Sequence, residues 1–155
     1  MEAVMKKTVL ILITLLILIS STGCATTKRL TCNFKSEGGE ITVDIDYSRD
    51  TINNYKYVSF IETDPAFADM IFGVLVGLLE EYNSIKGLST SIEASEDKKS
   101  ITLTMEVDYK KLDKKALKAL AAKPGAEPTF ADTFGKQASL SDTRADLEEQ
   151  GYICN

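Results

Sequence analysis

Residues 100–109 read SITLTMEVDY and form the clearest alternating segment in the chain. Apolar residues at positions 101, 103, 105, 107 and 109 alternate with Thr, Glu and Asp. A period of two places the apolar side chains on one face of a strand and the polar side chains on the other. This segment therefore predicts a strand whose one face packs against a core while the other meets water.

Other segments repeat this alternation, and short turn signals separate them. Gly38-Gly39 is a hairpin turn signal, and residues 48–50 and 96–99 are polar turns. In the third strand, Val58 and Phe60 are the residues expected to face the core. The remaining predicted strands cover residues 30–35, 41–47, 51–62 and 88–95.

A long helix is predicted between the third and fourth strands. Asp64 can cap the free backbone N–H groups, Pro65 fits the first turn, and Lys86-Gly87 ends the helix. A second membrane span is the alternative, but residues 66–79 are too short and Asp69 interrupts them. Gly73 and Gly77 are expected to allow close packing on the strands. The apolar residues expected on the sheet are Phe67, Met70, Ile71, Val74, Leu75, Leu78, Leu79 and Tyr82.

Two shorter helices are predicted at residues 111–122 and 141–150, on either side of a linker at residues 124–128. Leu147 is expected to face the core, and Gly151 is a C-terminal stop. The chain therefore predicts an α+β fold in which about five antiparallel strands carry helices on one face, in the order βββαββαα. The predicted stripe of the first short helix is Leu112, Ala116, Leu117 and Leu120.

The N-terminus has the layout of a bacterial lipoprotein signal. Lys6 and Lys7 precede an apolar run of 11 residues, Val9 to Ile19, and small residues then lead to Cys24. The run is shorter than the ~20 residues of a membrane span. An ordinary secretory signal and a short uncleaved anchor helix are the alternatives. The sequence predicts a signal peptide at residues 1–23, a tether at residues 24–30 and one domain at residues 31–155.

A lipid on Cys24 fixes the expected location. The thiol would receive a diacylglycerol bearing chains such as palmitate, and two acyl chains hold a protein stably at a membrane. We therefore expect the domain to face the extracytoplasmic side of the cell membrane or outer membrane, as part of the cell envelope.

The cysteine count then predicts a disulfide. With Cys24 acylated, two thiols remain, Cys32 and Cys154, at opposite ends of the domain. Outside the cytoplasm such a pair forms a disulfide, with two free thiols as the alternative. The chain has no CxxC motif, which argues against a thiol oxidoreductase.

Charge and composition exclude several functions. The formal net charge is −5, and removal of the signal, which carries +1, leaves −6. An acidic chain argues against nucleic-acid binding and against electrostatic adhesion to anionic lipids. The absence of histidine removes the usual general base and the commonest zinc ligand. No metal or cofactor motif is present, so neither is expected.

Three sets of residues are candidate sites, each with a simpler structural interpretation. Asp44 and Asp46 project about 7 Å apart from one strand face, where carboxylates are also typical of a solvent face. With Glu106 and Asp108 they could serve a hydrolase that acts on cell-wall material. A lysine cluster could meet lipid headgroups or simply be solvated, and the tyrosines could line a groove or pack at the core edge. The lysine cluster comprises Lys110, Lys111, Lys114, Lys115 and Lys118. The tyrosines are Tyr47, Tyr55, Tyr57, Tyr82, Tyr109 and Tyr152.

The assembled motifs resemble the YehR-like bacterial lipoproteins, a family of unknown function. The matching residues are Cys24, Thr31-Cys32, Val107-Asp108-Tyr109, Ser141 to Thr143 and Leu147 to Tyr152. The resemblance spans about residues 31–154 and implies a small α+β domain tethered to a membrane. It implies no catalytic residue. The sequence thus favours a non-enzymatic binding or interaction domain with an unknown protein or small ligand as partner, and a carboxylate-dependent envelope hydrolase is the alternative.

Overall fold

The computed structural model describes residues 26–122 and 138–155, and its central feature is an antiparallel sheet of six strands. The strand order across the sheet is β4-β5-β3-β2-β1-β6. Strands adjacent in space are mostly adjacent in sequence, as expected of hairpin-connected antiparallel sheets. The strands are β1 Lys28–Ser36, β2 Gly39–Ser48, β3 Thr51–Glu62, β4 Leu88–Ala94, β5 Ser100–Asp108 and β6 Ile153–Cys154.

Three helices accompany the sheet in the described residues, and each is capped by a side chain at its start. Asp64, Asp113 and Ser139 accept hydrogen bonds from backbone N–H groups of the first turn. The helices are α1 Pro65–Asn83, α2 Lys114–Ala121 and α3 Leu140–Glu149. The α+β class and the three helices are confirmed, although α2 begins three residues later than predicted, after the Asp113 cap. The element order is βββαββααβ. The prediction of about five strands was wrong because a two-residue strand has too short a pattern to detect.

The core lies on one face of the sheet, where the alternation predicted it. Ile45 pairs with Tyr55, which pairs with Val107, and all three side chains are buried. Leu117 and Leu120 from α2 and Leu147 from α3 join the same buried cluster. Helices α2 and α3 thus pack on the apolar face of the sheet with the residues predicted for them.

The prediction that Val58 and Phe60 face the core was wrong. They pair with Thr42 and Glu40 on the opposite, polar face, and Phe60 is 40% exposed. The reason is that β3 carries apolar residues at both odd and even positions, so alternation alone does not show which set faces the core. The register with β2 and β5 instead places Tyr55, Tyr57 and Ser59 on the inward face.

Helix α1 buries a narrower face than predicted. Phe67, Met70 and Val74 are 55%, 63% and 60% exposed. We call these three residues the α1 apolar stripe. A Cβ added at Gly73 or Gly77 would meet no atom within 4 Å, so these glycines do not pack against the strands. The α1 apolar stripe was predicted to face the core. It is exposed because apolar residues occupy more of the helix surface than the one face that contacts β4 and β5.

Several predicted segments lie outside the described residues. They are the signal peptide at 1–23, Cys24, the linker at 124–128 and the side chain of Leu78. Strand β1 begins at Lys28, inside the stretch 24–30 predicted to be a tether. Among the described residues, no helix has both the length and the apolar character needed to cross a membrane.

Candidate functional site

The predicted cysteine pair joins the first and last strands. Cys32 and Cys154 lie opposite each other in the β1–β6 ladder and form a disulfide. The ladder extends to Asn155, which exchanges two backbone hydrogen bonds with Thr31, at 3.2 and 2.9 Å. Cys32 is fully buried. The disulfide therefore closes the fold, with Cys32 inside the core and Cys154 half-buried at its edge.

The C-terminal motif that carries the family resemblance is a structural device. Gly151 has φ of +93°, donates its backbone N–H to the Glu148 carbonyl, and is followed by Tyr152, which donates to the Leu147 carbonyl. These bonds form a Schellman turn that ends α3. The Tyr152 ring packs against Phe34 with centroids 5.3 Å apart. The turn thereby directs the chain back to β1, where Cys154 meets its partner.

The polar face of the sheet holds the candidate carboxylates of β2, and both have partners. The Thr31 hydroxyl donates to Asp44 at 2.6 Å, and the Arg29 guanidinium donates to both oxygens of Asp46, at 2.7 and 3.0 Å. The hydrogen bond from Arg29 holds the pKa of Asp46 below its ordinary value. With its pKa lowered, the Asp46 carboxyl group ionises more readily, whereas a general acid must keep its proton until it donates it.

The candidate carboxylates of β5 lie on the same face but are separated from those of β2. Asn54 donates to Glu106 at 2.8 Å, and Lys111 forms an ion pair with Asp108 at 2.8 Å that lowers the pKa of this carboxyl. Strand β3 runs between β2 and β5, which places the two carboxylate pairs two strand spacings apart, about 10 Å. Within residues 26–122 and 138–155, no three Cys, Asp or Glu side chains are grouped closely enough to hold a metal ion.

All six tyrosines pack into or against the core, which confirms the structural interpretation of this set. Tyr55 and Tyr109 are buried, and the others contact the buried cluster at its edge. Burial raises the pKa of Tyr55 and raises the pKa of Tyr109 to about 12. The remaining members of the set are Tyr47, Tyr57, Tyr82 and Tyr152.

Alkaline pH should destabilise the domain through the two buried tyrosines. The folded state keeps their protons above the ordinary tyrosine pKa of ~10, whereas the unfolded state loses them. Stability is therefore full below about pH 10 and falls, by up to ~1.4 kcal/mol per pH unit for each tyrosine, as pH rises toward the folded pKa. Urea unfolding on either side of pH ~10 measures this loss. Tyr109→Phe should have a shallower decline than the parent chain, and an equal decline would contradict the assignment.

Helix α2 and the turn before it present the predicted lysine cluster to solvent. Its buried residues are Leu117 and Leu120, and Leu112 and Ala116 pack beside them, as predicted. Lys111 is paired with Asp108. The exposed lysines are Lys110, Lys111, Lys114, Lys115 and Lys118.

A shallow groove lies at the N-terminus of α1, and no motif in the sequence pointed to it. Its volume is about 440 Å³, and Phe60 and Pro65 provide apolar lining beside the acidic residues Glu62, Asp64 and Asp97. Asp97 accepts hydrogen bonds from the Ser95 hydroxyl and the backbone N–H of Lys99, and the bond from Ser95 lowers the pKa of Asp97. The groove thus combines open apolar surface with three carboxylates and one lysine, Lys99, a surface that can contact a ligand.

Comparison with known proteins supports the fold. No family model and no curated protein matches the sequence. An NMR structure of a protein from Streptococcus pneumoniae TIGR4 matches with a TM-score of 0.59 and 14% identity over 87% of this chain and 88% of that chain. The NMR structure of the E. coli YehR protein matches with a TM-score of 0.63 and 14% identity over 84% of this chain and 92% of that chain. The chain therefore has a YehR-like fold, and at this identity the likeness extends to the fold alone.

Proposed function

We propose that this chain is an extracytoplasmic lipoprotein of the YehR-like type, anchored through a diacylglycerol on Cys24, whose domain binds a partner and catalyses no reaction. The basic start, the short apolar run and Cys24 support the anchor. The YehR-like fold, which covers most of the chain, supports the grouping. Because β1 begins only four residues after Cys24, the domain would be held close to the membrane.

The α1 apolar stripe is the observation that carries the binding role. Large apolar side chains rarely remain exposed as a contiguous patch on a domain unless the patch meets a partner. Phe67, Met70 and Val74 follow one another at spacings of three and four, so they form one strip along the helix. The carboxylates of the polar face are engaged by Arg29, Lys111, Thr31 and Asn54, which favours a structural role for them over hydrolysis.

The anchor is tested by Cys24→Ser. We expect this substitution to abolish labelling of the protein by fatty acid and to release it from the membrane fraction, because serine cannot form the thioether. Mass spectrometry of the purified chain reads the lipid directly. Cys154→Ser is the matched control, since it removes a different thiol and should leave labelling unchanged. Lipid labelling retained in Cys24→Ser would refute the anchor.

The binding role is tested by photocrosslinking in intact cells. A photoreactive amino acid at Met70 should give a discrete adduct, because the stripe would face its partner. The same amino acid at Ile153, which is 70% exposed on β6, is the control and should give none. An adduct of twice the chain mass would identify the partner as a second copy. Equal labelling at both positions, or none at Met70, would count against a binding surface on α1.

A further inference from the structure

The ladder registers place the start of β1 and the lysine-bearing helix α2 at the same end of the sheet. Lys28 pairs with Tyr47, which pairs with Ile52 at the start of β3, and Asn54 pairs with Asp108 at the end of β5. The segment after Asp108 leads directly into α2. We call this end the anchor end; it comprises residues 28–29, 46–54, 86–88 and 108–118.

The anchor end is rich in exposed cations. Lys28, Arg49 and Lys86 join the lysines of residues 110–118 there, and all are exposed. Its carboxylates are mostly engaged within the protein. Asp46 and Asp108 are paired with Arg29 and Lys111, Asp113 caps α2, and Asp50 accepts from the backbone and hydroxyl of Ser141. Glu80, Glu81 and Asp142 on neighbouring helix ends offset part of the positive charge.

The opposite end of the sheet has the reverse character. Its turns and the start of α1 carry more acidic residues than basic ones, and Lys98 is paired with Asp69. The fold therefore places basic and acidic residues at opposite ends of the sheet, a separation that the net charge of −6 does not reveal. The acidic residues are Glu37, Glu40, Glu62, Asp64, Asp69, Glu93, Glu96 and Asp97, against Lys35, Lys98 and Lys99.

The tether is short enough to hold the basic end at the membrane. Four residue steps separate Cys24 from Lys28, an extended reach of at most about 14 Å. This reach is comparable to the Debye length of about 8–10 Å at physiological salt, so the tether allows the anchor end to approach within range of charges at the bilayer surface.

We propose that the anchor end is a docking surface for anionic phospholipid headgroups, which orients the domain with its strands standing away from the membrane. This rests on the proposed lipid at Cys24: the lipid supplies the affinity, and the lysines supply the orientation. The acidic end, with the groove beside Phe60, then points outward. The 12 residues of β3 span about 40 Å, which sets how far from the bilayer that end is held.

Energy transfer on vesicles tests the orientation. The lipidated protein, whose lipid is verified by mass, carries a fluorescent donor on one introduced cysteine. This cysteine is either Ala119→Cys on α2 or Ala94→Cys at the opposite end of the sheet, and both alanines are exposed. With an acceptor on the headgroups, transfer from residue 119 should be several-fold greater than from residue 94. The difference should grow when phosphatidylglycerol is added to phosphatidylcholine. It should shrink at 1 M salt, where the Debye length is about 3 Å.

Matched lysine variants separate charge from mere proximity of the tether. Lys114→Gln/Lys115→Gln/Lys118→Gln should lose the dependence on phosphatidylglycerol, whereas Lys35→Gln/Lys98→Gln/Lys99→Gln should keep it. Equal transfer from both positions in anionic vesicles, or unchanged transfer in the α2 variant, would overturn the proposal. A chain that lacks lipid by mass would refute the proposed anchor instead, so the two failures are distinguishable.

Discussion

Replacing Cys154 by alanine is expected to lower the free energy of unfolding by about 4–5 kcal/mol, the largest effect of any single substitution we predict. The disulfide joins residues 122 positions apart and so restricts nearly the whole unfolded domain. Loop-closure entropy grows with the logarithm of loop length, which gives this magnitude in the chain-entropy model. The variant keeps the Cys32 side chain in the core, so the loss reports the cross-link and not a cavity.

Urea unfolding of the oxidised chain and of Cys154→Ala measures this loss. Treatment of the parent chain with reductant is the control and should bring its midpoint to that of the variant, while the variant itself should not respond. Cys32→Ala/Cys154→Ala should lose slightly more, because Cys32 is fully buried. Coincident midpoints for the oxidised parent and Cys154→Ala would show that the cross-link adds no stability.

The sequence was most informative where a pattern extends over several residues. The alternation at residues 100–109 was sufficient to predict β5 and the side of the sheet on which the core lies. Asp64-Pro65 located the start of α1, and Gly151 located the end of α3. These signals are local consequences of strand pleat, capping and positive φ, so they need no knowledge of tertiary contacts.

Prediction failed where a strand is apolar at both odd and even positions, and where a helix is apolar on several faces. In β3 the inward residues were decided by register with β2 and β5, which placed Phe60 outside. In α1 the sheet covers one side of the helix, and the sequence does not state how much of its apolar surface the sheet can reach. Val74 therefore looked like a core residue but is exposed.

The surfaces with functional interest also depended on tertiary structure. Phe34 contacts Tyr152 across more than a hundred residues, and the Asn83 amide pairs with both backbone groups of Thr90, fixing α1 to the edge of the sheet. Net charge predicted no attraction to anionic lipid. The topology, however, gathers the cations of distant segments at the end where β1 begins. Composition sums charge over the chain, and only the fold shows how it is distributed.

Gly87→Ala is expected to destabilise the domain by roughly 2–5 kcal/mol, because two independent costs add at this position. Gly87 has φ of +83°, a conformation that alanine adopts only with strain. A Cβ there would also lie 2.5 Å from the backbone nitrogen of Leu112 and 2.6 Å from its Cα. The chain before α2 crosses over Gly87 at this distance, and the Asp113 N–H donates to the Lys86 carbonyl beside it.

Gly38→Ala is the matched control, because a Cβ at Gly38 would meet no atom within 4 Å. This variant should change the free energy of unfolding by no more than about 0.5 kcal/mol. If Gly87→Ala unfolded at the same urea concentration as Gly38→Ala, the close crossing would be wrong. The crossing also fixes the start of α2 against the start of β4, so it determines where Lys114 and Lys115 lie relative to β1. Folded Gly87→Ala protein on anionic vesicles should therefore be less well oriented than the parent chain, since the lysines would be displaced relative to the end of the sheet where β1 begins.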